Sequence, residues 1–328
     1  MQKNIVVTYP PQDAEKRIYR EILTDRLPIH YLAEKPELER IELLHAADVV
    51  IGLSFSRKEI SPAEIAYLNN VRFIQLVFAG ADGMPFALIP EKTILASNVG
   101  AFAKPIAEHV LAFTLALAKN LIPKYQLLRE GKFDQSGFNR QLSGGICGII
   151  GFGGNGREIA KIMQAVGLKV YGVNRRGEAD IPIDFIGTVA DMQKVLEASD
   201  VLVVTTPLTR ATRNLIGKRE LEWMKKNAIL INVGRGDVID QKALYGHLGS
   251  HPDFRAGIDT WWSEPIGSGE FRLEYPFFEL PNLIGSPHIA DHVPGSMPYA
   301  TRKALENVNN FLRGKKLRGV VNRKDYLA

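Results

Sequence analysis

One cysteine, Cys147, stands in the whole 328-residue chain, so no intrachain disulfide can form and no thiolate metal cluster is available. It lies in the apolar run Gly145-Ile146-Cys147-Gly148-Ile149-Ile150, where a buried, inert thiol is expected rather than a nucleophile. Long hydrophobic runs are missing too: no segment reaches the roughly 18 apolar residues of a membrane helix. The apolar stretch within Met1 to Pro10 is too short for a signal peptide and reads as a first strand. Neither sign of charge dominates, with 41 basic and 36 acidic residues and a net +5. The basic residues are scattered, which argues against nucleic acid as a partner. These absences predict a cytoplasmic globular protein with no membrane and no bound metal.

What is present begins with length, since 328 residues exceed one ordinary core and point to two domains. Short apolar runs alternate with helical patterns, the rhythm of parallel sheets with helices on both faces. The first series predicts strands at Asn4 to Thr8, Ile29 to Leu32, Asp48 to Leu53, Phe73 to Val77 and Thr93 to Ala96. Its helices are expected at Asp13 to Leu23, Pro36 to Ala46 and Ser61 to Leu68. The second series predicts strands near Ile146 to Ile150, Lys169 to Val173, Val201 to Thr205, Ala228 to Val233, Arg255 to Asp259 and Asn282 to Gly285. Two alternating series mean two α/β domains.

Between them lies Lys104-Pro105-Ile106-Ala107-Glu108-His109, followed by Val110 to Leu121, which is apolar on nearly every face. Pro105 suits a first helical turn, and Glu108 complements the positive end of the helix dipole. A helix this apolar must be covered all round, which predicts a subunit interface, with internal burial as the alternative. The chain closes on a helical pattern, Pro298 to Leu312, and a basic tail able to pack back on the first domain.

Gly151-Phe152-Gly153-Gly154-Asn155-Gly156 follows one expected strand and opens the helical pattern Arg157 to Val166. In that setting the glycines meet a dinucleotide's needs: a tight turn, close backbone approach to pyrophosphate, and close packing of helix on strand. The helix amino terminus then faces the negative charge. An NAD enzyme usually places an acidic residue at the end of the next strand, for the ribose hydroxyls. Here the strand runs into Asn174-Arg175-Arg176, and two guanidiniums suit a 2′-phosphate, predicting NADP(H) over NAD(H). Glu178 and Asp180 nearby support the alternative of two merely solvated arginines.

Arg235, Asp259 and His288 each follow an expected strand of the second series, where ligands sit in open α/β sheets. Gly234 and Gly236 let the backbone at Arg235 approach a ligand. Its planar fork matches a carboxylate, while a further N–H can polarise a carbonyl. Among the other histidines, His45 and His109 fall in helical patterns and read as packing residues, and His30, His247 and His251 lack companion chemistry. His292 is the rival, but it lies in a loop, whereas His288 follows Pro287 at a strand end. An unperturbed imidazole has a pKa of about 6.5, and a neighbouring carboxylate favours its charged form. Glu264, just before Pro265, fits that need. An anion clamp, a proton donor and a tuning carboxylate together are equipment for reducing a 2-oxo acid.

These motifs are joined by Phe78-Ala79-Gly80-Ala81-Asp82, Asn98-Val99-Gly100, Ala107-Glu108-His109, Thr206-Pro207-Leu208-Thr209, Asn232 to Asp240, Asp259 to Pro265 and Ser286-Pro287-His288. Over nearly its whole length the chain thus resembles the D-isomer-specific 2-hydroxyacid dehydrogenases. The resemblance implies two doubly wound parallel-sheet domains, with a Rossmann cofactor domain (99–289, including a dimerisation helix 104–121) inserted into a flavodoxin-like substrate domain (1–98 and 290–328). It implies a homodimer that moves a hydride between NADP(H) and a small 2-oxo or D-2-hydroxy acid such as glyoxylate or hydroxypyruvate. Arg235 looks like the substrate-binding arginine, Glu264 like the partner carboxylate and His288 like the acid/base. Phe78 and the amides of Ala79 and Gly80 match a carboxylate-binding loop, and Phe55 lies on a loop that in relatives approaches substrate. Gly153 to Ile159 would hold pyrophosphate, Asn174 to Arg176 the adenosine ribose, and Thr206 and Pro207 the adenine side. Val233, Gly234 and Asp259 would line the nicotinamide, with Arg235, Thr212, His288 and Ala290 also against the cofactor.

The chain departs from the commoner pattern in a longer stretch between Glu264 and His288, in Asp291-His292, and in the bulk of Trp261 and Trp262. Formate- or phosphite-type dehydrogenases share the architecture, as do non-catalytic NAD(P)-sensing corepressors; Glu264 argues against the formate type.

Overall fold

Parallel pairing dominates because nearly every strand is a short Val/Ile/Leu run that must be covered on both faces. The structure, a computed structural model, describes residues 4–23, 28–55, 59–265 and 269–327. Two units emerge, one of Met1–Phe102 with Val293–Ala328 and one of Ala103–His292.

The first unit holds β1 (Asn4–Val7), β2 (Ile29–Tyr31), β3 (Ala47–Gly52), β4 (Phe73–Leu76) and β5 (Ile94–Ala96), all parallel in the order β2-β1-β3-β4-β5. That is the flavodoxin-like order. Helix Asp13–Leu23 packs on helix Ser296–Leu312, where Thr301 donates to buried Glu15 at 3.0 Å. Arg302 adds a two-point contact to Glu21, with both distances 2.7 Å. Beyond this helix the chain returns to the sheet: the Val321 N–H donates to the Leu95 carbonyl at 2.8 Å, and Val320 bridges Ala96 antiparallel. Both ends of the chain therefore share one core.

The second unit holds β6 (Ile146–Ile150), β7 (Lys169–Val173), β8 (Phe185–Gly187), β9 (Val201–Val204), β10 (Ile229–Asn232), β11 (Arg255–Ile258) and β12 (Leu283–Gly285). Their order is β12-β11-β10-β9-β6-β7-β8, again parallel throughout. The direction of winding reverses beside β6, the switch point at which such sheets bind ligands. Cys147 is fully buried on β6, and burial pushes its thiol up to about 12, so it is inert. β8 is absent from the expected strands because it is a three-residue edge, half-buried and preceded by Pro182.

The apolar helix differs from expectation in its far half. It runs Ala103–Ala118 and stops; Asn120 takes a left-handed φ of 51°, and a second helix, Leu121–Arg129, leaves at a bend of 59°. The cause is Pro123, which has no N–H to continue the ladder and whose ring would collide with the carbonyl of Lys119. Ala107, Val110, Phe113, Thr114, Leu117 and Ala118 of the first helix are buried, while Ile106, Leu111 and Leu115 on the other side are half-exposed. Among the described residues no single helix is long and apolar enough to cross a membrane.

Candidate active site

Strand register assembles the site. Ile150 is level with Val173 on one side and Val204 on the other, Val204 with Asn232, Asn232 with Ile258, and Ile258 with Gly285. The carboxyl ends of six strands thus form one row. The residues just past them, Gly151, Asn174, Thr205, Val233, Asp259 and Ser286, share one edge of the sheet, although they span more than a hundred positions of sequence.

At β6 the glycine turn is required by space. Gly151 sits at φ 101°, and a Cβ there would lie 2.8 Å from the Thr206 nitrogen; one on Gly156 would lie 2.9 Å from the Gly151 carbonyl oxygen. Gly153, by contrast, faces open space, and as the first residue before helix Gly154–Ala165 it offers no side-chain cap. An uncapped helix amino terminus behind a bare backbone is a seat for an anion. Beside it, the Thr206 hydroxyl is buried without a partner among the described residues. A dinucleotide fits these features: its pyrophosphate matches the bare turn, and the orphaned hydroxyl has a use.

Asn174 spends its side chain on local shape. Its Oδ1 accepts from the N–H groups of Arg176, Gly177 and Glu178, at 3.0, 2.8 and 3.4 Å, and its Nδ2 donates to the Phe152 and Glu178 carbonyls at 3.0 and 2.7 Å. The turn so formed projects Arg175 and Arg176 into solvent. Arg176 has Glu178 3.9 Å away, while Asp180 is engaged by Arg157 at 2.6 Å. Thr212 closes the neighbouring turn, donating to the Pro207 carbonyl at 2.6 Å and accepting from the Thr209 N–H at 2.8 Å.

Past β10, buried Asn232 builds the loop that carries Arg235. Its Oδ1 accepts from the Gly234 N–H at 3.0 Å, and its Nδ2 donates to the Arg235 carbonyl at 2.9 Å. Gly236 is compressed against the next loop: a Cβ would come within 2.3 Å of the Trp261 backbone. The Arg235 Nη1 donates to the Gly234 carbonyl at 2.8 Å, which orients the fork.

His288 has a left-handed backbone, φ 54°, a conformation costing a non-glycine residue about 1–3 kcal/mol. Its N–H donates to the Asp259 carbonyl at 2.9 Å, which helps hold the strain. The ring Nδ1 lies 2.7 Å from Glu264 Oε2, and the other carboxylate oxygen accepts from the Trp261 N–H at 2.7 Å. Burial works to lower the imidazole's pKa, but the hydrogen bond and charge of Glu264 outweigh it; Arg235 opposes them, Asp259 assists, and the net shift is upward. For Glu264, burial pushes up, yet His288, the Trp261 N–H and Arg235 hold the carboxyl below its ordinary value. Arg235, Glu264 and His288 therefore act on one another. His292, the rival, is 68% exposed and pairs only weakly with Asp291, at 3.7 Å.

Asp259, 1% exposed, is the hub of the loop. Its carboxylate accepts from the N–H groups of Ile289 and Ala290, at 3.0 and 3.3 Å, and from the Ser286 hydroxyl at 2.5 Å. Ser286 in turn meets His109 Nε2 at 2.9 Å. Asn232, Ser286 and His109 stand in motifs that carry the family resemblance, yet the sequence assigns them no role at the site and reads His109 as a packing residue; strand register brings Asn232 and Ser286 there, and helix Ala103–Ala118, packed on β10 and β11, brings His109. Trp261 and Trp262 prove to be scaffold. Trp261 is 6% exposed and donates to the Ser286 carbonyl at 2.8 Å, while Trp262 stacks on Phe277 with centroids 5.1 Å apart. The longer stretch after Glu264 lies partly outside the described residues, at 266–268.

Within the first unit, Phe78, Ala79 and Gly80 follow β4, with the Phe78 N–H donating to the Leu53 carbonyl at 3.2 Å; Ala79 is exposed. Phe55, expected on a substrate-facing loop, is instead 3% exposed with its ring in the core, at φ 57°. The reason is Glu59, whose carboxylate accepts from the N–H groups of Leu53, Ser54 and Phe55 at 2.6, 3.1 and 2.9 Å and curls the loop inward.

Comparison with known proteins gives the family. The profile of a family described as "D-isomer specific 2-hydroxyacid dehydrogenase, NAD binding domain" matches residues 111–290. The chain is 30% identical over 285 residues to a glycerate dehydrogenase of Methylorubrum extorquens, covering 84% of this chain and 86% of that protein. It is 30% identical over 259 residues to a hydroxypyruvate reductase of Thermotoga maritima, covering 78% and 81%. A solved D-isomer specific 2-hydroxyacid dehydrogenase family protein from Aeromonas salmonicida superposes with a TM-score of 0.80 at 25% identity, over 98% and 99% of the two chains. With the glycine turn, the Arg235 loop and the Glu264–His288 pair in place, the chain belongs to the D-isomer-specific 2-hydroxyacid dehydrogenases, nicotinamide-dependent oxidoreductases of 2-hydroxy acids.

Proposed function

We propose that this enzyme reduces a small 2-oxo acid, of the glyoxylate or hydroxypyruvate type, to the D-2-hydroxy acid with NADPH. The observation that carries the reading is the 2.7 Å contact of His288 with Glu264, which favours the charged form of a proton donor at the strand ends where Arg235 waits for an anion. Formate oxidation delivers no proton to a carbonyl and has no use for that pair. The bound nicotinamide supplies the hydride. Arg235 grips the carboxylate and polarises the carbonyl; His288 donates its Nε2 proton to the carbonyl oxygen as negative charge develops there. Glu264 stabilises the imidazolium, and Asp259 holds the loop that aims it. In the oxidising direction neutral His288 accepts the proton.

For the cofactor, Gly151 to Gly156 seat the pyrophosphate, Thr206 and Pro207 with Thr212 border the adenine side, and Val233, Gly234, Asp259 and Ala290 border the nicotinamide. Arg175 and Arg176 bind the 2′-phosphate. The Ala79 and Gly80 amides are assigned to the substrate carboxylate. A homodimer would cover the apolar side chains left on helix Leu121–Arg129, where Leu121, Ile122, Tyr125 and Leu128 are 54, 45, 61 and 54% exposed.

The experiment is NADPH oxidation with glyoxylate, hydroxypyruvate and larger 2-oxo acids, repeated with NADH. Turnover with at least one of them, and a higher kcat/KM with NADPH, is the expected result. Equal or better kcat/KM with NADH defeats the cofactor assignment, and no turnover with any 2-oxo acid defeats the reaction.

Glu264→Gln tests the acid. The raised pKa of His288 keeps the imidazolium present as pH climbs; without the carboxylate it deprotonates at lower pH. Ketone reduction should fail at a lower pH than in the wild type, and hydroxy-acid oxidation, which needs the neutral ring, should begin at a lower pH. Unchanged pH profiles in both directions remove Glu264 from this role.

A further inference from the structure

We propose that His109 is a positioning residue for the nicotinamide carboxamide, acting through Ser286 on Asp259. It lies on helix Ala103–Ala118, far in sequence from the three catalytic residues, and packing alone accounts for only part of its setting. Its ring meets Phe113 edge-on at 4.6 Å, yet its Nε2 points to the Ser286 hydroxyl at 2.9 Å.

Proton counting gives the chain a direction. A carboxylate only accepts, so the one hydroxyl proton of Ser286 goes to Asp259 Oδ1, at 2.5 Å. The hydroxyl oxygen must then accept from His109, which places the proton on Nε2. Ser286 has little freedom to do otherwise, because its N–H donates to the Ile258 carbonyl and its own carbonyl accepts from Trp261 Nε1. Oδ1 of Asp259 is thereby occupied by Ser286 and by the Ile289 N–H at 3.0 Å. Among the described residues Oδ2 has only the longer 3.3 Å contact with the Ala290 N–H, so it is the oxygen with capacity to accept from a ligand N–H. His109 thus fixes a buried carboxylate so that Oδ1 is taken up by Ser286 and the His288 loop, and Oδ2, held more loosely, is left to accept from the carboxamide.

The inference rests on the proposed placement of the nicotinamide beside Asp259. Its test is cofactor binding, followed by quenching of tryptophan fluorescence, with NADPH and with the reduced 3-acetylpyridine analogue, in which a methyl ketone replaces the amide. The analogue lacks the N–H that Asp259 would accept. Wild type should bind NADPH about tenfold or more tightly than the analogue, the size of a hydrogen bond to a charged group. His109→Phe keeps the ring packing but removes the donor; it should lose most of that preference while the analogue's Kd moves by less than about twofold. His109→Gln, with an amide N–H in reach of Ser286, should retain part of the preference. Ser286→Ala should copy His109→Phe, and the double variant should be no worse than either single one.

A His109→Phe protein that weakens both cofactors alike, or that keeps the full preference, overturns the proposal. So does a wild type that fails to distinguish the two, which would remove the carboxamide from Asp259 altogether. Whether any 2-oxo acid is reduced is read separately by NADPH oxidation, so a wrong reaction and a wrong role for His109 give different results.

Discussion

His288→Asn should lower kcat for 2-oxo acid reduction by about 10²–10⁴-fold, the range ascribed to general acid–base catalysis. Asparagine is the informative replacement because it tolerates the left-handed backbone that His288 adopts at φ 54°, so strain does not add to the chemical loss. An amide has no proton to give at any working pH, and Glu264 then faces a side chain it cannot charge. His292 cannot substitute, being 68% exposed and turned toward Asp291. Cofactor Kd should move little. Steady-state assays at saturating cofactor decide it: kcat within threefold of wild type would remove His288 from proton transfer.

Arg235→Lys should cost about 10²–10³-fold in kcat/KM, the scale for losing a donor to a developing oxyanion. Lysine keeps the positive charge but replaces a rigid fork by a point charge on a flexible stem, which cannot grip a carboxylate at two points and polarise a carbonyl as well. The loop should survive, since Asn232 holds it through backbone groups, with the Gly234 N–H at 3.0 Å and the Arg235 carbonyl at 2.9 Å. The loss should appear in both KM and kcat. If lysine restores wild-type kcat/KM, charge alone suffices and the bidentate role fails.

Much of the fold was legible because apolar runs in buried parallel strands are nearly continuous. β6 and β7 match the expected spans to the residue, and each of the other expected strands differs by a single residue at one or both ends. β8 escaped because an edge strand need bury only part of its surface and leaves no apolar run. The break after Ala118 was marked by Asn120 and Pro123, but the apolar pattern continues across it and hides it. Phe55 shows the opposite failure: its loop was placed, but three backbone N–H groups converging on Glu59 turned the ring inward.

Residue chemistry and local spacing determined, without coordinates, that this chain alternates β and α, that a glycine turn opens a helix after a strand, and that an arginine, a carboxylate and an imidazole follow strand ends. Those are properties of short segments, governed by steric freedom, apolar periodicity and side-chain functional groups. Tertiary structure alone decided which side chains meet. Register between strands distant in sequence set Glu264 on His288 and gave Asp259 its ring of donors, because hydrogen-bonded pairing, not proximity along the chain, fixes which strand ends lie side by side, while packing of helix Ala103–Ala118 on the sheet brought His109 to Ser286.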